Sequence, residues 1–151
     1  MTPVVFRFRF QKILDVKERQ ERALEIELAG VDRLIYEREA VRAAWGRTRE
    51  ETLAGIARAR ERADLLENAR GEAYLRFVRA RLEQCRRAIA ELRATREQVR
   101  QELQRVMRSR ELLEKYRDRL RAEFLVEQEK AEERVTEVHS GLKFIRAEGM
   151  P

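Results

Sequence analysis

The sequence predicts an all-α protein, two long helices folded into an antiparallel coiled-coil hairpin. Three observations predict it. Apolar residues recur in steps of three and four over residues 75–124: Leu75, Val78, Leu82, Cys85, Ile89, Leu92, Val99, Leu103, Val106, Leu113, Leu120 and Phe124, with Arg96, Arg110 and Arg117 filling the remaining steps. Charged residues make up 41% of the 151, and proline occurs only at positions 3 and 151, so no ring interrupts a helix between them. The strongest turn signal, Asn68-Ala69-Arg70-Gly71, lies near the middle of the chain. A 3-4 repeat held over seven heptads makes a narrow apolar seam. Such a seam is too narrow for a globular core and needs a partner helix.

The chain opens with a short lead-in in which Pro3 suits a helix start. Residues 6–10 read FRFRF, an alternation too short and isolated for a strand, so helix 1 is predicted from between Pro3 and Phe8. Helix 1 covers about residues 5–66, with Phe10, Leu14, Lys17, Glu21, Leu24, Leu28, Val31 and Ile35 on its seam. Three phenylalanines at one helix end exceed what a two-helix seam hides. They either contact another protein or cap the open end of the hairpin.

The seam weakens over residues 38–52, where the same count lands on Arg38, Arg42, Trp45, Arg49 and Thr52. Burying three arginines is costly unless each is paired. A register shift through Leu34, Val41 and Trp45 is an alternative. Gly46 and Gly55 lower helix propensity here by ~1 kcal/mol each relative to Ala. Trp45, the sole tryptophan, is either plain core or a partner anchor.

The turn is predicted near residues 67–72. Helix 2 follows over about residues 72–140, opening with the aromatic group Tyr74, Leu75, Phe77 and Val78. At 1.5 Å per residue each arm would span roughly 90–110 Å. Beyond Phe124 the count continues as Glu127, Ala131, Arg134 and Val138 and fades. Ser140-Gly141 is expected to end the helix, leaving residues 141–151 as a frayed tail. Leu142, Phe144 and Ile145 would then sit beside Phe6, Phe8 and Phe10. One chain, 1–151, forms one hairpin and is expected to be a monomer when alone.

The chain carries no chemistry that the residue pattern reveals. His139 is the single histidine and has no Cys or His partner at metal-ligand spacing. Cys85, the single cysteine, sits on the seam as a small apolar residue. There is no Gly-rich phosphate loop and no nucleophile elbow. Acidic groups lie on solvated helix flanks, where nothing raises a carboxylate pKa. The expectation is a non-enzyme with no cofactor and no metal. The net charge of +6 is spread over 34 basic and 28 acidic residues, as on a solvated coiled-coil surface, and nucleic acid is not an expected partner. No stretch resembles a signal peptide or approaches ~20 apolar residues, so the reading is cytoplasmic.

Three stretches resemble one known family. Phe8-Arg9-Phe10-Gln11-Lys12-Ile13-Leu14-Asp15-Val16-Lys17-Glu18 resembles the opening of the FliJ family of flagellar export proteins, with its alternating Phe pair, Leu/Ile pair and acidic-basic run. Tyr74-Leu75-Arg76-Phe77 through Arg87-Ala88-Ile89 is similar to that family's segment after the turn. Leu113-Glu114-Lys115-Tyr116 and Glu127-Gln128-Glu129-Lys130-Ala131-Glu132-Glu133 resemble its C-terminal signature, although the family carries an apolar residue and Asp-Glu where this chain has Ala131, Glu132 and Glu133.

The resemblance implies a two-helix coiled coil similar to the central stalk of rotary ATP synthases. It implies a terminal end that inserts into the hexameric export ATPase FliI and promotes its assembly, with Phe6, Phe8, Phe10, Ile13 and Phe144 facing the ATPase. It implies contact with the export gate protein FlhA through Arg42, Trp45 and Arg49 on helix 1 and Leu82, Cys85, Ala88 and Leu92 on helix 2. Handling of export chaperones follows from the same likeness, as does peripheral association with the cytoplasmic face of the inner membrane. Three readings compete with it. One is the equivalent stalk of a virulence type III secretion system. Another is a basic coiled coil that binds nucleic acid along Arg105, Arg108, Arg119 and Arg121. The last is a homo-oligomeric scaffold.

Overall fold

The computed structural model describes residues 4–149; Pro3 and the last two residues of the chain lie outside the described residues. Two α-helices account for almost all of it: α1, Gln11–Glu61, and α2, Leu65–Glu148. They form an antiparallel hairpin, as the pattern predicts. The direction shows in the cross-helix pairs. Arg60 meets Glu72, Arg93 meets Glu39 and Arg96 meets Asp32, so numbers rise on α2 as they fall on α1.

The turn comes earlier than Asn68–Gly71 would place it. Helix α1 ends in a Schellman motif. The amide of Asp64 donates to the Ala59 carbonyl at 2.9 Å, and that of Ala63 to Arg60 at 3.1 Å. Ala63 takes the left-handed conformation, φ 53°, that glycine usually fills. Asp64 then caps α2, its Oδ1 accepting from the Glu67 amide at 3.1 Å. One residue closes one helix and the next opens the other. Asn68 and Gly71 consequently lie inside α2. Gly71 serves packing: a Cβ there would stand 2.6 Å from Cγ1 of Ile56 on α1.

By contact density the chain divides into two compact units. One is Glu21–Arg105, which contains the turn. Its core is Leu24, Val31, Ile56 and Ala59 from α1 against Leu75, Val78, Cys85, Ile89, Val99 and Leu103 from α2. Cys85 is thus a buried seam residue, 7% exposed. Arg96, at a seam position, stays half-exposed and reaches Asp32 at 2.6 Å, so its charge is not buried. Between Val31 and Ile56 no α1 residue is buried. The alternative register does not form: Leu34 and Val41 remain 44% and 42% exposed.

The other unit joins the chain up to Gln20 with the chain from Val106 onward. Leu14 and Val106 are its buried residues. Helix α1 starts at Gln11, not between Pro3 and Phe8. Residues 4–8 are neither helix nor strand, yet Phe6, Phe8 and Phe10 are half-buried while Arg7 and Arg9 are exposed. Extended backbone turns alternate side chains to opposite faces, so FRFRF lays its rings on α2 and its guanidinium groups in solvent. Helix α2 passes through Ser140 and Gly141 without a break and ends at Glu148. No helix of the described residues is long and apolar enough to cross a membrane.

Candidate functional site

Two places gather the residues singled out above, one in each unit. In the terminal unit the lead-in is clamped by rings. Phe6 meets Phe124 with centroids 5.6 Å apart, and Phe8 and Phe10 both lie 6.1 Å from Tyr116. Arg119 stands 5.2 Å over the Tyr116 ring and Arg9 lies 5.5 Å from that of Phe10. Offset rings and cation–ring contacts of this kind each add modestly to area burial. A groove of about 600 Å³ opens beside the clamp, lined among others by Val5, Phe8, Arg117, Arg121 and Leu125. Tyr116 lies off the seam count, which is why periodicity alone does not flag it as the receiving ring.

Ile13 is 48% exposed. Phe144 does not join the other phenylalanines. The lead-in reaches α2 at Phe124, and twenty residues of helix separate Phe124 from Phe144, about 30 Å at 1.5 Å per residue. The expectation that the last apolar group sits beside Phe6, Phe8 and Phe10 is therefore corrected. The cause is length. Helix α2 has 84 residues against 51 in α1, and its last turns run on past Phe124, where Phe6 sits.

The last stretch of α2 has no helix against it, and nothing in residues 125–149 is buried. Counting in steps of four and three from Phe124 gives Gln128, Ala131, Val135, Val138, Leu142 and Ile145. The seam thus continues one step off the line through Glu127 and Arg134. Val135, Val138, Leu142 and Ile145 are 49–66% exposed. This is a coiled-coil stripe without its partner.

In the other unit, the residues assigned to the gate separate onto two flanks. Positions just after Val78 and Cys85, namely Arg79 and Arg86, fall on one flank of the α2 seam; positions on the other flank include Tyr74, Phe77 and Ala88. On the first flank Arg42, Arg49 and Leu82 line a groove of about 570 Å³ with Arg79 and Arg86, floored by Ala43 and Gly46. On the second flank Trp45 meets Phe77 edge-on at 5.9 Å, and Tyr74 stacks on Phe77 at 6.0 Å. Trp45 is only half-buried, while Tyr74 and Phe77 are 46% and 45% exposed. Ala88 and Leu92 line a smaller groove with Leu34 and Arg38. Cys85 lies beneath, in the core.

Charge in the first groove is strongly organised. Arg86 clasps Glu83 through two bonds, 2.8 and 2.7 Å, and Arg87 adds a third at 3.1 Å. Arg86 foremost, with Arg87 behind it, holds the Glu83 carboxyl well below its ordinary range, at about 2. Glu39 accepts from Arg93 at 2.9 Å. Arg42 and Arg79 have no ion-pair partner among the described residues. No group of three or more His, Cys, Asp or Glu among the described residues could hold a metal.

The family model described as flagellar FliJ protein matches residues 6–149. Comparison with curated proteins and with solved structures found no match.

Proposed function

Because the chain belongs to the flagellar FliJ family, a non-catalytic component of the flagellar export apparatus, we propose that it acts there as a stalk between the export ATPase and the export gate. The observation that carries this reading is the unpartnered stripe of Val135, Val138, Leu142 and Ile145 on the last turns of α2. A single helix with an exposed apolar seam fits insertion into a ring-shaped host such as the hexameric ATPase FliI. The aromatic clamp of Phe6, Phe8 and Phe10 on Tyr116 and Phe124 stiffens the base of that helix, and Ile13 offers an exposed contact beside it.

In the same reading the half-exposed cluster of Trp45, Tyr74 and Phe77, with Ala88 and Leu92, takes the gate protein FlhA. Arg42, Arg49 and Leu82 extend that contact to the first flank, and Cys85 supports both flanks from the core. Export chaperones are further partners, and the protein works at the cytoplasmic face of the inner membrane without spanning it.

The test is ATP hydrolysis by the flagellar export ATPase with and without an equal amount of this chain. A clear rise that is lost in Val138→Glu with Leu142→Glu supports the stalk. These side chains touch no core, so the variant keeps its fold, which circular dichroism would check. An unchanged rate, with no complex seen by light scattering, overturns it. Loss of binding to the cytoplasmic part of the gate in Trp45→Ala checks the second contact.

A further inference from the structure

The arginine groove lies where the α1 seam has no buried residue, between Val31 and Ile56. It is cationic on both walls. Arg42 and Arg49 stand one heptad apart on α1, and Arg79 and Arg86 one heptad apart on α2, about 10 Å in each case at 1.5 Å per residue. The groove's two carboxylates are already occupied, Glu39 by Arg93 and Glu83 by Arg86 and Arg87. Arg49 is held only by its exposed sequence neighbour Glu50 at 3.2 Å. Arg42 and Arg79 are held by no ion pair among the described residues. The floor is small: a Cβ built on Gly46 meets nothing within 4 Å.

We propose that this groove docks an acidic helix of another protein, laid along α1 and α2 as a third strand of the coiled coil. Charge complementarity selects the occupant. Carboxylates seven residues apart on one face of a helix match the one-heptad spacing of Arg42 and Arg49, with Arg79 on the facing wall (Arg86 being held by Glu83), and guanidinium groups favour bidentate carboxylate contacts. The space over Ala43 and Gly46 admits an apolar side chain of the incoming helix against Leu82. A nucleic-acid backbone suits the groove less well. Its phosphates run on past the two-turn arginine patch.

This groove lies on the other flank of the seam from Trp45, Tyr74 and Phe77. The proposal uses three of the residues given above to the gate but does not need the gate assignment, because its test contains no export component.

The test is fluorescence anisotropy of a labelled helical peptide of about three heptads, Ala- and Gln-based, with Leu at seam positions and Glu at one-heptad spacing on the flanks. The full chain should bind it, more weakly as salt rises. Arg42→Glu with Arg79→Glu should weaken binding about tenfold or more. Tyr74→Ala with Phe77→Ala should leave it unchanged. A peptide with Lys in place of Glu should bind the charge-reversed variant and not the parent chain, which shows that the variant is folded. No binding of the Glu peptide overturns the proposal. So does equal loss in the aromatic variant, or displacement of the peptide by short duplex DNA with the same arginine dependence.

Discussion

A Cβ on Gly71 would lie 2.6 Å from Cγ1 of Ile56, so the two helices approach closely just past their turn. That contact makes Gly71 a packing residue on α2. Gly71→Ala should lower stability by about 1–2 kcal/mol, the overpacking cost exceeding the gain in helix propensity. The cost should shrink when Ile56 is also Ala, giving a coupling energy in a double-mutant cycle. Gly46→Ala, which meets nothing within 4 Å, should stabilise by up to ~1 kcal/mol. Urea unfolding of the four variants checks all of this, and a null coupling between Ile56 and Gly71 would contradict the close approach.

The turn rests on two adjacent residues with opposite prospects. Ala63 is held at φ 53°, where a Cβ costs about 1–2 kcal/mol. Ala63→Gly should therefore raise stability by about 1 kcal/mol, despite the looser unfolded chain. Asp64→Ala removes the cap on the Glu67 amide and should cost about 1 kcal/mol. Thermal unfolding followed by circular dichroism would show the two shifts in opposite directions.

The lead-in is held by rings rather than by backbone pairing. Phe124→Ala removes the ring beneath Phe6 and should cost ~1–2 kcal/mol locally, less than a fully buried phenylalanine would. Its signature is faster trypsin cleavage after Arg7 and Arg9, with little change in the midpoint of global unfolding. Unchanged cleavage would show that Phe8, Phe10 and Tyr116 hold the segment without Phe6.

Glu83 predicts a particular acid response. Its folded pKa, about 2, lies below the ordinary 4.5, so the unfolded chain takes up the proton first as pH falls. The contribution of the Arg86 and Arg87 bonds is full above pH 4.5 and disappears as pH approaches about 2. Glu83→Gln should lower the melting temperature at neutral pH and leave the two proteins indistinguishable near pH 2. The pair is solvent-accessible, so added salt should reduce the difference.

Much of the architecture was legible in residue spacing. The 3-4 count over residues 75–124 named the face that is buried, including Leu75, Val78, Cys85, Ile89, Val99, Leu103 and Val106. The faltering count over residues 38–52 named the stretch of α1 that lacks a core. The candidate contact residues were legible as types, exposed aromatics and arginines off the seam, but not as groups. Arg42 and Trp45 are three residues apart in sequence and serve different flanks, because which flank a side chain takes depends on the helix facing it.

What the sequence determined by itself is helix and its buried stripe, since 3.6-residue periodicity is a local property that any partner helix will satisfy. Tertiary structure decided where the chain reverses and what meets across it. Asn68 and Gly71 carry the strongest turn propensity, yet the chain turns at Ala63 and Asp64, where an alanine accepts the left-handed conformation and Gly71 is kept for the approach of Ile56. FRFRF has no helical or strand partner of its own to reveal its fate; only the surface of Tyr116 and Phe124 makes the extended form the one that hides its rings. The extended lead-in seats Phe6 on Phe124 and leaves the rest of α2 without a helix against it, and the exposed stripe there follows from that register.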